Sequence, residues 1–151
     1  MTRQIATCLV VGCCAVTGLA AEKSLQLKDL PPAVQKTVQD TLKGGQISKI
    51  EKEVEKGVTQ YEIETVLNGK HRDFEVDSKG SLLVVEEETS IDAVPAAAKA
   101  TIMKTVGAGK LERVETSTKP GGETMYEAAW STKAGKKHEV LVKANGSVTK
   151  E

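Results

Sequence analysis

The sequence predicts an α+β fold of two tandem repeats. Each is one helix followed by a four-stranded antiparallel meander, packed as a continuous or abutted eight-stranded sheet with both helices on one face. Three observations carry this. The chain repeats itself, so that Pro31, Ala33, Thr37, Thr41, Gly45, Glu51 and Gly57 recur as Pro95, Ala97, Thr101, Thr105, Gly109, Glu115 and Gly121 at a constant offset of 64. After single-residue slips, Tyr61-Glu62 aligns with Tyr126-Glu127, Gly69-Lys70 with Gly135-Lys136, Val76 with Val142 and Gly80-Ser81 with Gly146-Ser147. Within each copy the apolar period then changes from about four to two, and turn residues punctuate the period-two runs.

Each copy opens with a helix signal. Pro31-Pro32 sits where a missing N–H is harmless, Val34, Val38 and Leu42 recur at four-residue spacing, and Gly44-Gly45 stops the run. The second copy has the same grammar in Pro95, then Ala98, Ile102 and Val106, then Gly107 and Gly109; its alanines suit a helix lying close against a sheet. The first strand spans Ile47 to Glu55. Lys56-Gly57 turns it into Thr59 to Leu67, where Tyr61, Ile63, Thr65 and Leu67 alternate with polar neighbours. Asn68-Gly69 has the composition of a type I′ hairpin turn. The return strand, Lys70 to Asp77, puts Arg72, Phe74 and Val76 on one face and His71, Asp73, Glu75 and Asp77 on the other. Ser81 to Val85 forms the fourth strand, with Glu86-Glu87-Glu88 expected to end it in solvent. The second copy predicts strands at Leu111 to Thr118, Thr124 to Thr132, Lys136 to Lys143 and Ser147 to Lys150. Copies of about 58 residues have marginal cores, so side-by-side packing is expected, with the face opposite the helices left wet.

Residues 1–21 read as a signal peptide: Arg3 precedes an apolar stretch to Leu19, and Gly18-Leu19-Ala20 offers small residues for cleavage. Residues 22–93 and 94–151 are the two repeats. The expected location is therefore the periplasm or the exterior, with no transmembrane segment in the mature chain. All three cysteines, Cys8, Cys13 and Cys14, lie in the N-terminal stretch, so they form no disulfide framework. Lipidation at Cys13 is the alternative, against which counts the short apolar run before it.

The net charge of zero conceals an asymmetry. Leu30 to Glu88 holds 8 Lys and Arg against 12 Asp and Glu, a balance of −4; Val94 to Glu151 holds 10 against 6, a balance of +4. Such a bipolar molecule can orient against a charged partner or a copy of itself.

Tyr61-Glu62-Ile63-Glu64, Asn68-Gly69-Lys70, Phe74-Glu75-Val76-Asp77 and Gly80 resemble the PepSY domain, and Tyr126-Glu127-Ala128, Gly135-Lys136, Val140-Leu141-Val142 and Gly146 echo it. Two copies behind a signal peptide resemble the PepSY-like, beta-lactamase-inhibitor-protein-like secreted bacterial proteins. The resemblance implies a non-catalytic role in inhibition or partner binding. Lactamase inhibition itself is not carried over, because those inhibitors use disulfides and an aromatic-rich concave sheet, whereas this chain is 3% aromatic.

The residues themselves offer no catalytic constellation. His71 and His138 do not align between copies, and strand alternation points them to opposite faces. No catalytic, cofactor or metal site is expected, and secretion with few aromatics argues against nucleic acid. The candidate partner-binding residues are Glu62, Glu64, Glu75 and Asp77 on the first copy's wet face, with Lys133, Lys136 and Lys137 around a hairpin of the second. The expected activity is a non-catalytic binding or inhibitory module for an envelope protein or peptide, as a monomer or weakly self-associating. The alternative is a periplasmic cation sensor or buffer using the acidic face.

Overall fold

The computed structural model describes residues 25–55 and 57–149. The N-terminal stretch with its cysteines, and the cleavage and lipidation expectations that fall on it, lie outside the described residues. Helices α1 (Pro32–Leu42) and α2 (Ala96–Val106) are each preceded by a short 3₁₀ turn. The strands are β1 (Gln46–Glu55), β2 (Val58–Leu67), β3 (Lys70–Asp77), β4 (Leu82–Glu88), β5 (Lys110–Thr118), β6 (Thr124–Ser131), β7 (Lys137–Lys143) and β8 (Val148–Thr149). They lie in chain order in one antiparallel sheet.

Strand register decides which face each helix covers, since directly opposed residues share a face. Arg72 stands opposite Glu87, Glu87 opposite Thr116, Thr116 opposite Tyr126 and Tyr126 opposite Val142. Phe74, two residues from Arg72, lies on that face too. Phe74 packs in the cluster of Val34 and Val38 from α1, and Val142 packs in that of Ala98, Ile102 and Val106 from α2. Both helices therefore cover the same face. Val34, Val38, Ile63, Phe74, Ile102 and Val142 are fully buried there, each such side chain contributing about 1.5–3 kcal/mol by burial.

The turns follow their residue types. Asn68 and Gly69 both adopt positive φ, 53° and 79°, as a type I′ hairpin requires. The end of β4 departs from expectation. Glu86-Glu87-Glu88 does not trail into solvent but continues β4, where Val85 to Glu88 pair with Thr118 to Glu115 of β5. A backbone partner on each side outweighs the poor strand propensity of three glutamates. These pairs join the chain's two halves into one sheet.

Each helix is also fastened to the turn before its half's last strand. Thr37 Oγ1 donates to Gly80 O at 2.5 Å, and Thr101 Oγ1 donates to Gly146 O at 2.8 Å. The approach is so close that a Cβ on Gly80 would lie 2.7 Å from Ala33 O, and one on Gly146 2.9 Å from Ala97 O, with φ of 90° and 87° at the two glycines. Gly80→Ala and Gly146→Ala are each expected to cost about 2–3 kcal/mol, combining left-handed strain with displacement of the helix. Gly121→Ala, where φ is 72° and nothing lies within 4 Å of a Cβ, should cost about 1 kcal/mol. Urea unfolding of the three variants checks the difference; equal losses would show that helix approach does not matter.

Candidate functional site

The face without helices collects the acidic side chains. Along the register Glu51 is opposite Glu62 and Glu62 opposite Glu75, while Asp73 is opposite Glu86. With Glu53, Glu64, Asp77 and Glu88 this puts nine carboxylates, among the described side chains, on the open face of β1 to β4, against one cation, Lys49. Lys49 Nζ lies 2.8 Å from Glu51 and 3.3 Å from Glu64, and the hydrogen bond to Glu51 is the main reason its pKa is raised.

This face is concave. On a flat sheet β2 and β7 would stand five strand spacings apart, about 24 Å. Yet Glu62 and Glu64 of β2 share the lining of one cleft, of about 450 Å³, with Lys137 and Glu139 of β7. The sheet must curl, bringing its ends toward each other across β4 and β5. His71, Asp73, Glu112, Arg113, Ala129, Trp130 and His138 complete the lining. The curl also corrects the expectation of a uniformly wet face: Val84, Leu141 and Ser117 on it are buried, Asp73 is 9% exposed and Glu115 only 3%.

Asp73 is held in place by a break in the β2–β3 ladder. The register runs Ile63 opposite Phe74 and resumes at Val66 opposite His71. In the gap the Thr65 N–H donates to Asp73 Oδ1 at 2.9 Å, and the Thr65 hydroxyl donates to the Arg72 carbonyl. Arg72, itself buried on the helix face, donates from Nε to Glu87 Oε1 at 2.8 Å and from Nη1 to Thr41 O at 2.7 Å. It thereby ties the end of α1 to β3 and β4. Across the seam, Glu115 Oε2 lies 3.1 Å from Arg113 Nε, while its Oε1 is buried with no hydrogen-bond partner among the described residues.

Burial and like charge act together on these acids. Desolvation, followed by the neighbouring Glu53, Glu64, Glu51 and Glu75, pushes the Glu62 carboxyl up to about 7. Desolvation also raises Asp73 against the opposing Thr65 N–H, and raises Glu115 against the opposing Arg113. The arrangement is a net-negative concavity in which three carboxyls are pushed up, chiefly by desolvation. It holds no nucleophile paired with a base among the described residues. Among the described residues no group of three or more His, Cys, Asp or Glu is placed to hold a metal ion, and no helix is long and apolar enough to cross a membrane.

Of the residues singled out from sequence, Glu62, Glu64, Glu75 and Asp77 fall together on the open face, although Asp77 is occupied accepting from Lys79 and Ser81 N–H. Lys137 joins Glu62 and Glu64 in the cleft, whereas Lys133 and Lys136 sit exposed in the β6–β7 turn, outside the cleft lining. The two histidines do occupy positions of opposite facing, His138 stacking on Trp130 with centroids 4.6 Å apart. Both nonetheless line the one cleft. Arg113 and Glu115 were not legible as site residues; only the Glu51–Glu115 identity marked the second.

No protein-family model and no curated protein matches the chain. Solved structures do. A protein of Bacteroides eggerthii DSM 20697 described as periplasmic is similar at TM-score 0.62 and 18% identity, over 80% of this chain and 86% of that one. A DUF2874 family protein of Bacteroides ovatus ATCC 8483 gives 0.60 and 13%, over 80% and 85%. A BLIP-like protein of Bacteroides fragilis NCTC 9343 gives 0.56 and 18%, over 80% and 84%. At these identities the likeness shows a shared fold.

The raised Glu62 pKa makes stability depend on pH. Because the folded carboxyl holds its proton to about 7 against an ordinary 4.5, the folded state binds more protons across that window and stability falls as pH rises through it. Glu62→Gln should therefore leave stability near pH 4.5 almost unchanged and raise it above pH 7 by about 1 kcal/mol, allowing for solvent screening of a partly exposed group. Urea midpoints from pH 4.5 to 8 check this, and an unaltered slope in the variant would refute the assignment.

Proposed function

We propose that the chain is a non-catalytic binding or inhibitory module of the bacterial cell envelope, presenting its concave sheet face to another protein or peptide. The observation that carries this is the open face itself: a continuous concavity with nine carboxylates among the described side chains of its first four strands, none of them used by the hydrophobic cores. Like charges gathered on one surface cost folding free energy, and a partner of opposite charge recovers it.

The same reading takes residues 22–93 and 94–151 as two PepSY-like units in tandem. The order helix then four strands, met twice, and the paired Thr37–Gly80 and Thr101–Gly146 contacts support it. A periplasmic or secreted location after removal of residues 1–21 is supported by the sequence of that stretch, and the similar fold of a periplasmic protein agrees with it. The similar BLIP-like fold is in keeping with an inhibitor-like module. The candidate contact residues are Glu62, Glu64, Glu75 and Lys137, with Asp77 and the turn lysines Lys133 and Lys136 at the rim.

The protein immobilised as bait in envelope extract is expected to capture a defined protein. Glu53→Lys with Glu64→Lys should abolish that capture, while Lys104→Glu on the exposed side of α2 should leave it intact. Undiminished capture by the doubly reversed variant, or recovery of a small molecule or metal alone, would overturn the proposal.

A further inference from the structure

The cleft has a narrower chemistry than the acidic face around it. Five carboxylates line it, from Glu62, Glu64, Asp73, Glu112 and Glu139, against two permanent cations, Arg113 and Lys137. An acidic lining alone would describe any solvated surface. The independent observation is Glu115, whose side chain is almost wholly buried on the same face and whose Oε1 has no partner among the described residues. Its carboxylate interacts electrostatically with Arg113, Asp73 and His71, all three of which line the cleft. A carboxylate oxygen left without a hydrogen bond is costly, and a ligand donor that supplied one would recover that cost.

The acceptors are spread over β2, β3, β5 and β7 rather than converging on a point. That geometry disfavours a metal ion, which needs several oxygens in one shell. It suits a planar group with several divergent N–H donors, and the guanidinium carries five. Ala129 and the half-buried Trp130 add an apolar wall for the methylene stem of such a side chain.

We propose that the cleft receives an arginine side chain from a partner polypeptide, held by the carboxylates of Glu64 and Asp73, with the buried Glu115 reached through Arg113, to which it is bridged. This rests on the reading of the concave face as a protein-binding surface and names its anchor. Arg113 has room in the same account: a guanidinium arriving from a partner competes with it for Glu115, freeing Arg113 toward Glu112 or Glu139.

The test uses the full chain and a blocked pentapeptide, acetyl-Ala-Ala-Arg-Ala-Ala-amide, followed by amide and indole NMR shifts. Its citrulline counterpart, the same shape without the charge, is the control. Saturable shifts at Asp73, Arg113 and the Trp130 indole are expected, with the citrulline peptide about tenfold weaker or more. Glu64→Gln and Asp73→Asn should each weaken the arginine peptide by about three- to tenfold. If Asp73→Asn does not fold, Glu64→Gln, which is more exposed, decides alone. Equal binding of the two peptides, or shifts confined to the outer strip around Glu53, would overturn the proposal. The two readings fail separately. Charge reversal that abolishes protein capture without any arginine-specific binding sinks the anchor alone, and arginine binding without face-dependent capture sinks the broader reading.

Discussion

Everything on the open face depends on the pairing of β4 with β5. Each half of the chain has a small core of its own, centred on Phe74 in one and on Ile102 and Val142 in the other, and a core of that size is marginal alone. Val85 to Glu88 against Thr118 to Glu115 makes them one sheet. The Thr89 N–H extends the seam to Val114 O at 2.9 Å, and Arg72 holds β4 from the other side through Glu87. The seam also sets Glu88 opposite Glu115, an unfavourable like-charge pair. The bridge of Glu115 to Arg113 and the bond from the His71 backbone N–H to Glu88 Oε2 at 3.2 Å make that pair tolerable. The join thus makes one open face of the two halves and sets the buried Glu115 at their boundary.

The two halves solve one packing problem by different chemistry. Beneath the end of α1, Thr65 and Arg72 form a satisfied polar knot, with Arg72 capping the Thr41 carbonyl and standing 5.9 Å from the Phe74 ring centroid. At the equivalent place below α2, Trp130 and His138 stack instead, and the indole Nε1 is buried without a partner among the described residues. An aromatic pair fills more volume than it satisfies hydrogen bonds. Its bulk reaches the cleft where the first half's knot stays under its helix. The divergence between the halves is therefore a matter of which face the interior side chain serves, as well as of net charge.

Local signals carried most of the fold. Pro32 and the spacing of Val34 and Val38 placed α1, period-two alternation placed β2 and β3 to within a residue, and Asn68-Gly69 placed the turn between them. The extension of β4 was illegible because it comes from β5, more than twenty residues later, overriding the local preference of Glu86, Glu87 and Glu88. The acidic character of the open face was legible from alternation alone. Its concavity was not, because sheet curl is set by the twist of every pair and by the bulges at Ile47/Lys49, Glu75/Val76 and Leu111/Arg113. So the convergence of Glu64, His71 and Asp73 with Arg113 and His138 had no signature along the chain.

Desolvated charge is distributed unevenly between the two faces, and this distinguishes the open face from an ordinary solvated one. On the helix face the buried polar groups Thr65 and Arg72 are hydrogen-bonded. On the open face Glu62, Asp73 and Glu115, from three different strands, all have carboxyls pushed up, chiefly by desolvation. A sheet selected only for stability would place lysines or neutral residues there, since surface carboxylates in contact repel and buried ones lose hydration. The fold instead holds them in a concavity that concentrates their field. An incoming cation would draw the Glu62 pKa down from about 7, so association should be coupled to proton release from that carboxyl near neutral pH. That coupling follows from the curl of the sheet: flattened, the same residues would regain water, lose their mutual repulsion and present no common site.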